Sequence, residues 1–313
     1  MILLLPALTG MLVLAQSSVA PIHVDVRLMT TSFTVRDGAG KLVDGLTKND
    51  FELFDDGIKQ TIAHFSRGED LPLTLGLIVD FSGSQDKFVK KHRHDLESFL
   101  HAVLKPRDQA FLVCFGNHIR LGSDLTHSQT DLADGLDRCD HLKKGQVIPE
   151  LGPRERRDLG TAFYDAIFYS ITEKLADAEG GRKALIVFSD GEDNSSANDM
   201  MTTIETAQKV DAVLFAMRYT EVSHGVLNGR NKYGIKVMER IGRETGGADF
   251  DAGEKGMKDF FHQIEEDLRA SYQIGYYPAA GPLGGDDGTF HKIKIRAVNP
   301  ELKVRAKTGY FSR

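Results

Sequence analysis

Two nearly unbroken apolar runs, Leu73-Thr-Leu-Gly-Leu-Ile-Val79 and Ala184-Leu-Ile-Val-Phe188, limit what this chain can fold into more than any other feature. A strand with one wet face alternates apolar and polar residues, whereas a strand buried on both faces has no need to. Such runs belong to parallel sheets covered by helices on both sides. The first run ends abruptly in Asp80-Phe-Ser-Gly-Ser84, an acid and two hydroxyls at alternate positions, with Gly83 allowing a sharp turn. The second ends in Ser189-Asp-Gly-Glu-Asp193. Small oxygen donors crowded at the end of a central strand suit a hard divalent cation. Mg²⁺ takes oxygen ligands at about 2.0–2.1 Å in an octahedron and usually keeps several waters.

Around these two runs the chain alternates strands and helices from residue 73 to residue 270. Helices are expected near 85–104, 128–141, from Thr161 onward, 200–210, 233–242 and 256–270, and strands near 109–115, 118–123, 211–217 and 248–250. That rhythm predicts an α/β fold with a Rossmann-like, doubly wound, mostly parallel sheet. The two ends of the chain are β-like instead. Ile22–Val35 alternates, and Phe51–Phe54 and Ile58–Phe65 flank an Asp55-Asp-Gly57 turn as a hairpin would. Tyr272–Tyr277, His291–Val298 and Leu302–Tyr310 read as strands after a glycine-rich connection at 281–288. Neither end is long enough to bury a face alone. Residues 21–70 with 271–313 are therefore expected to form one small discontinuous β domain, with the α/β domain, 71–270, inserted in it.

Composition narrows the functional classes. The 313 residues suffice for one large domain and a smaller one, and a net charge of −6 argues against a dedicated nucleic-acid binder. Residues 1–20 read as a signal peptide, with apolar segments at Ile2–Leu5 and Met11–Leu14 and small residues at Ala15 and Ala20, although no basic residue precedes the apolar core. That reading makes the protein exported (periplasmic, cell-surface or secreted), and no later stretch is apolar enough to give the mature chain an integral membrane span. Two cysteines do not make a disulfide scaffold. Cys114 lies in the apolar run Ala110–Phe115 and reads as a buried small hydrophobe; whether it bridges Cys139 is left open.

Ligands of open α/β sheets sit outside the carboxyl ends of the strands. Three places put oxygen donors there: Asp80-Phe-Ser-Gly-Ser84, Gly160-Thr161 at an expected helix start, and Ser189–Asp193. Singly each has a plain explanation. Thr161 would serve as a helix N-cap and Asp190-Gly191 as a turn. In order and on matching elements they resemble the von Willebrand factor type A domain with a complete metal-ion-dependent adhesion site, whose pattern of Asp-x-Ser-x-Ser, Thr and Asp is filled here by Asp80, Ser82, Ser84, Thr161 and Asp190. The resemblance covers about residues 70–270. The flanking segments Leu46–Gly57 and Lys307–Phe311 resemble an Acidobacteria-type group of exported proteins carrying this domain. The resemblance implies that Ser82, Ser84 and Thr161 contact Mg²⁺ (or Mn²⁺ or Ca²⁺) through their hydroxyls, with Asp80 and Asp190 bound directly or through water. It also implies that a Glu or Asp of a partner protein completes the shell.

The function expected is an exported, non-enzymatic, metal-dependent protein-binding or adhesion module. The alternatives are a metal-dependent hydrolase or phosphatase using Asp80, or an envelope scaffold with a vestigial site. No acid follows Asp80 at two residues, no Gly-x-Ser-x-Gly elbow is present, and no positioned base is evident. Arg154-Glu-Arg-Arg157 is expected to rim the metal site or to be a solvated loop, and Tyr219–Tyr233 to lie on the same edge. Lys90-Lys-His-Arg-His94 reads as the wet face of a helix, Glu192 and Asp193 as supporting or ordinary turn acids, and His101 and His118 as structural histidines.

Overall fold

The computed structural model describes residues 28–69, 71–141, 147–153, 160–178, 181–220, 226–253, 257–278 and 288–311; the signal-like segment 1–20, the Arg154–Arg157 loop and part of the Tyr219–Tyr233 loop lie outside them. The chain begins with β1 (Met29–Arg36), β2 (Phe51–Asp55), β3 (Ile58–Gln60) and β4 (Ile62–Glu69). β2 and β3 form a hairpin in which Asp55 pairs with Ile58, leaving Asp56 and Gly57 as the two turn residues. Both are left-handed, at φ 48° and 82°, the backbone that matches a two-residue turn to the twist of its strands. The run expected as one strand, Ile58–Phe65, is two. The chain crosses between sheets after Gln60, and β4 pairs elsewhere.

The central sheet contains β5 (Leu73–Asp80), β6 (Gln109–Phe115), β7 (Ile119–Thr126), β8 (Arg182–Ser189), β9 (Ala212–Arg218) and β10 (Ala248–Asp251). Their order is β10-β9-β8-β5-β6-β7, parallel throughout except for β7. β5 and β8 are therefore the two middle strands, and β5 is buried at all eight positions. Helices cover both faces: α1 (Val89–Val103), α2 (Gln129–Asp140) and α6 (Met257–Arg269) on one, and α3 (Phe163–Ser170), α4 (Met200–Lys209) and α5 (Gly229–Thr245) on the other. Leu75, Leu77 and Val79 point into the first layer with Phe99 and Phe261, and Ile78 into the second with Phe163 and Ile167. This is a Rossmann-like, doubly wound α/β arrangement, accompanied by additional β sheets. Gly76 marks a tight spot within β5, since a Cβ there would lie 2.3 Å from Leu185 Cδ2.

Two helix starts differ from expectation. A 3-10 turn over Gly83–Phe88 precedes α1 because the chain is still rounding the sheet edge. α5 begins at Gly229, four residues before Tyr233, because Asn228 caps it through Asn231 N–H. Cys114, at the end of β6, is buried and bonded to Cys139 of α2. The bridge ties α2 to β6, and alongside it Gly135 of α2 and Gly122 of β7 meet so closely that a Cβ on Gly135 would lie 2.7 Å from Gly122 O.

The chain closes with β11 (Ala270–Tyr276), β12 (Phe290–Ala297), β13 (Lys303–Ala306) and β14 (Gly309–Phe311). Leu302–Tyr310, expected as one strand, breaks after Ala306 and contributes to two sheets. One sheet has the order β13-β1-β11-β4 and the other β14-β12-β2-β3, so each combines strands from both ends of the chain, alternating in the first and side by side as pairs in the second. The sheets share one core, in which Phe33 meets Phe51 edge-on at 4.9 Å and stacks on Tyr272 at 5.5 Å. Among the described residues no helix is long and apolar enough to cross a membrane.

Candidate metal centre

β5 and β8 are parallel neighbours, so Asp80 and Ser189-Asp190 emerge side by side at their carboxyl ends. Asp80 is fully buried. Its Oδ1 accepts from Ser82 N–H at 2.8 Å and its Oδ2 from Ser189 Oγ at 2.5 Å. Burial pushes the Asp80 carboxyl up to about 7; the Ser189 and Ser82 hydrogen bonds oppose that rise and the nearby Asp190 charge adds to it.

The turn after β5 brings the serines across to β8. Ser82 Oγ lies 3.2 Å from Ser84 Oγ, and Ser84 Oγ donates to Asp190 Oδ2 at 2.7 Å. Gln85 Nε2 donates to the same oxygen at 2.8 Å and to Tyr219 O at 3.2 Å, while Glu192 N–H donates to Asp190 Oδ1 at 3.1 Å. Asp190 and Ser82 are buried and Ser84 is exposed, so the group opens to solvent at Ser84.

Thr161 sits just before α3, after Gly160 at φ 123°. It is not the N-cap. That position is Ala162, which has no side chain to offer, and Asp193 takes the cap's place from another loop. Asp193 Oδ1 accepts from Phe163 N–H at 2.9 Å and from Tyr164 N–H at 3.3 Å. In return the loop after β8 is held by Thr161, whose N–H donates to Asn194 Oδ1 at 2.7 Å and whose carbonyl accepts from Asn194 N–H at 3.1 Å. Asp165 secures the far end of the same loop by accepting from Ala197 N–H and Asn198 N–H at 3.0 and 2.9 Å. The Thr161 hydroxyl is thus not used for capping, and the residue is buried.

Asp80, Ser82, Ser84 and Asp190 therefore stand in one hydrogen-bonded group, and Thr161 is tied by its backbone to the loop that carries Asp190. Two carboxylates facing each other out of water are costly without compensating positive charge. Five oxygen donors, three of them neutral hydroxyls, are a donor set a hard divalent cation fits. Sequence reasoning missed Ser189 and Gln85 as partners of the two acids, although both adjoin residues it singled out. It also placed His92 on a wet helix face. His92 is fully buried, edge-on to Tyr219 at 4.3 Å, and burial holds it neutral, its pKa lowered to about 3.

A second group of metal-ligating side chains stands in the β sheets. One ligand atom each from Asp55, Asp56 and His291 lie within 4.8 Å of one another.

No family model matches the chain, and no curated protein matches it. Solved structures do. The conserved hypothetical protein BatB from Bacteroides thetaiotaomicron is similar at 15 % identity and TM-score 0.45, over 62 % of this chain and 98 % of that one. An aerotolerance-related membrane protein from Bacteroides fragilis, carrying multiple mutations to serines, is similar at 13 % identity and TM-score 0.45, over 63 % of this chain and 98 % of that one. The PilB minor pilin from Streptococcus sanguinis is similar at 13 % identity and TM-score 0.42, over 63 % of this chain and 62 % of that one.

Proposed function

We propose that the carboxyl edge of the central sheet is a divalent-cation site, with Asp80, Ser82, Ser84, Thr161 and Asp190 as its donors, and that the protein uses it to bind an acidic residue of a partner protein outside the cytoplasm, without turnover. The observation that carries this reading is the approach of Ser84 Oγ to Asp190 Oδ2 at 2.7 Å, with Ser82 Oγ 3.2 Å beyond. Two strand ends far apart in sequence thereby present hydroxyls and a carboxylate to one place. A bound Mg²⁺ would supply a positive charge that three neutral hydroxyls leave only partly satisfied, and hence an affinity for one more anionic oxygen.

The chain's own residues set the terms. Ser189 and the Ser82 N–H hold Asp80, and Gln85 and Ser84 hold Asp190, so neither carboxylate is free to swing. The loop of residues 189–198 is fastened to the start of α3 by Asp193 and Asn194, which fixes Thr161 against it. The exposed Ser84 leaves the approach open from solvent. The Cys114–Cys139 bridge supports an exported location, because structural disulfides persist where the medium is oxidising.

The test is capture from an envelope extract with the full chain as bait, in Mg²⁺ and in EDTA. Proteins retained only with Mg²⁺, and lost with Asp190→Asn bait, support the reading. Retention indifferent to both contradicts it, and metal-dependent hydrolysis of phosphate or ester substrates that is lost in Asp80→Asn would replace it with an enzyme.

A further inference from the structure

We propose that Asp55, Asp56 and His291 form a second, separate cation site, suited to a borderline first-row divalent ion of which Zn²⁺ is the reference. The two acids are the last residue of β2 and the first of its turn, and His291 enters from β12. His291 Nδ1 lies 2.9 Å from Asp56 Oδ2 and 4.0 Å from Asp55 Oδ1. A tetrahedral ion held at about 2.0–2.1 Å from each donor spaces those donors by roughly 3.4 Å. The observed separations bracket that value, so small side-chain rotations close the site.

The observation that marks this as more than neighbouring charges is an orphaned oxygen. Asp55 is 6 % exposed. Its Oδ2 accepts from Tyr276 Oη at 2.9 Å and Tyr310 Oη at 3.0 Å. Its Oδ1, on the side of His291, is buried with no hydrogen-bond partner among the described residues. A carboxylate oxygen taken out of water and left unpaired is destabilising, and native proteins seldom leave one without an ion or a water. The tyrosines make its direction deliberate. They engage one oxygen and aim the other, the task that outer-shell hydrogen bonds perform for metal-binding carboxylates.

The other two ligands are placed as firmly. Asp56 Oδ1 accepts from Lys292 N–H at 2.8 Å, which holds the side chain in place. The His291 ring stacks on Tyr310, with centroids 5.0 Å apart and planes 17° apart, so Nδ1 faces the acids. Two carboxylate oxygens and one imidazole nitrogen select against Mg²⁺ and Ca²⁺, which take oxygen alone, and toward zinc-like ions. Asp56 and His291 keep part of their surface, so the ion has a way in and a fourth position open to water. Such an ion joins the β2–β3 turn from the beginning of the chain to β12 from its end.

The test uses the full chain with its disulfide intact and Asp190→Asn introduced, so that the sheet-edge site does not report. After stripping with chelator, Zn²⁺ is titrated and the retained metal is counted by mass spectrometry, with Co²⁺ absorption as a second readout. The expected result is one Zn²⁺ per chain, bound at least tenfold more weakly in His291→Gln and in Asp56→Asn, and about ten- to a hundredfold more weakly in Tyr310→Phe. Asp56 is half exposed, so Asp56→Asn decides the matter if circular dichroism shows His291→Gln to be unfolded. Absence of stoichiometric Zn²⁺ at micromolar concentrations, or undiminished binding in the folded variants, overturns the proposal and leaves Asp56 and His291 as an ordinary ion pair.

Discussion

Ser84 Oγ donates to Asp190 Oδ2 at 2.7 Å across 106 residues of sequence. The contact follows from strand order. β5 and β8 are adjacent and parallel, so whatever follows each of them meets at one edge. Replacing Asp190 by Asn keeps the volume and the acceptor for Ser84 but removes the charge. Asp190→Asn should therefore fold normally and lose the thermal response to Mg²⁺. In the parent chain, cation at ~100 times its Kd adds about 2.7 kcal/mol, and at roughly 2–4 °C per kcal/mol the shift is readable by scanning fluorimetry.

Reducing the Cys114–Cys139 bridge should destabilise the chain without unfolding it in mild buffer. The bridge closes a 25-residue separation, and by loop entropy that contributes roughly 3 kcal/mol. Cys114 pairs with Val79, one residue short of Asp80, but its side chain joins the helix layer and it takes no part in the hydrogen bonds that hold Asp80 and Asp190, so metal affinity should change little. Denaturant unfolding with and without reductant checks the first statement, and Mg²⁺ titration of the reduced protein checks the second.

Asp108 and Arg269 join the opposite end of the central sheet to the start of β11. The Asp108 side chain is wholly buried. It accepts from Leu73 N–H at 2.9 Å and Lys105 N–H at 2.8 Å, and Arg269 closes on both its oxygens. Burial by itself would raise this carboxyl, but Arg269 and the two N–H groups outweigh it and leave the pKa below its ordinary value. A group depressed in the folded state stabilises above its unfolded pKa, roughly 3.9, and that contribution is lost as pH falls through the folded value. Arg269→Gln should cost about 3–5 kcal/mol at neutral pH. Its deficit relative to the parent should shrink below about pH 4, as denaturant melts at pH 7 and pH 3 would reveal.

β11 is paired on both sides by N-terminal strands, β1 and β4. Ending the chain after α6 should therefore leave residues 29–69 with little to pair with and expose them to protease, while 73–269 stays protected. Limited proteolysis followed by mass mapping reads this directly, and equal protection of 29–69 in both forms would count against it.

Much of the fold was legible because burial on two faces writes itself into β5 and β8 as continuous apolar sequence. That Asp80 and Asp190 come close together was legible for the same reason: they follow the two middle strands, which are parallel neighbours. The breaks at Gln60 and Ala306 could not be read, since the apolar pattern runs on while the chain changes sheets. His92 looked wet beside Lys91 and Arg93 because Tyr219, on a distant segment, packs edge-on against it while Phe88 stacks on its ring. The Asp55–Asp56–His291 group was invisible for a plainer reason. His291 stands 235 residues from Asp56, and nothing local to either announces the other.

The most direct measurement of the central claim is calorimetric titration of Mg²⁺ into the metal-free full chain carrying His291→Gln, so that the second cluster is silent. One Mg²⁺ per chain, with the heat abolished by adding Asp190→Asn and sharply weakened by Ser84→Ala, is the result expected. No heat and no change in melting temperature with Mg²⁺, Mn²⁺ or Ca²⁺, or binding that survives Asp190→Asn undiminished, would contradict it.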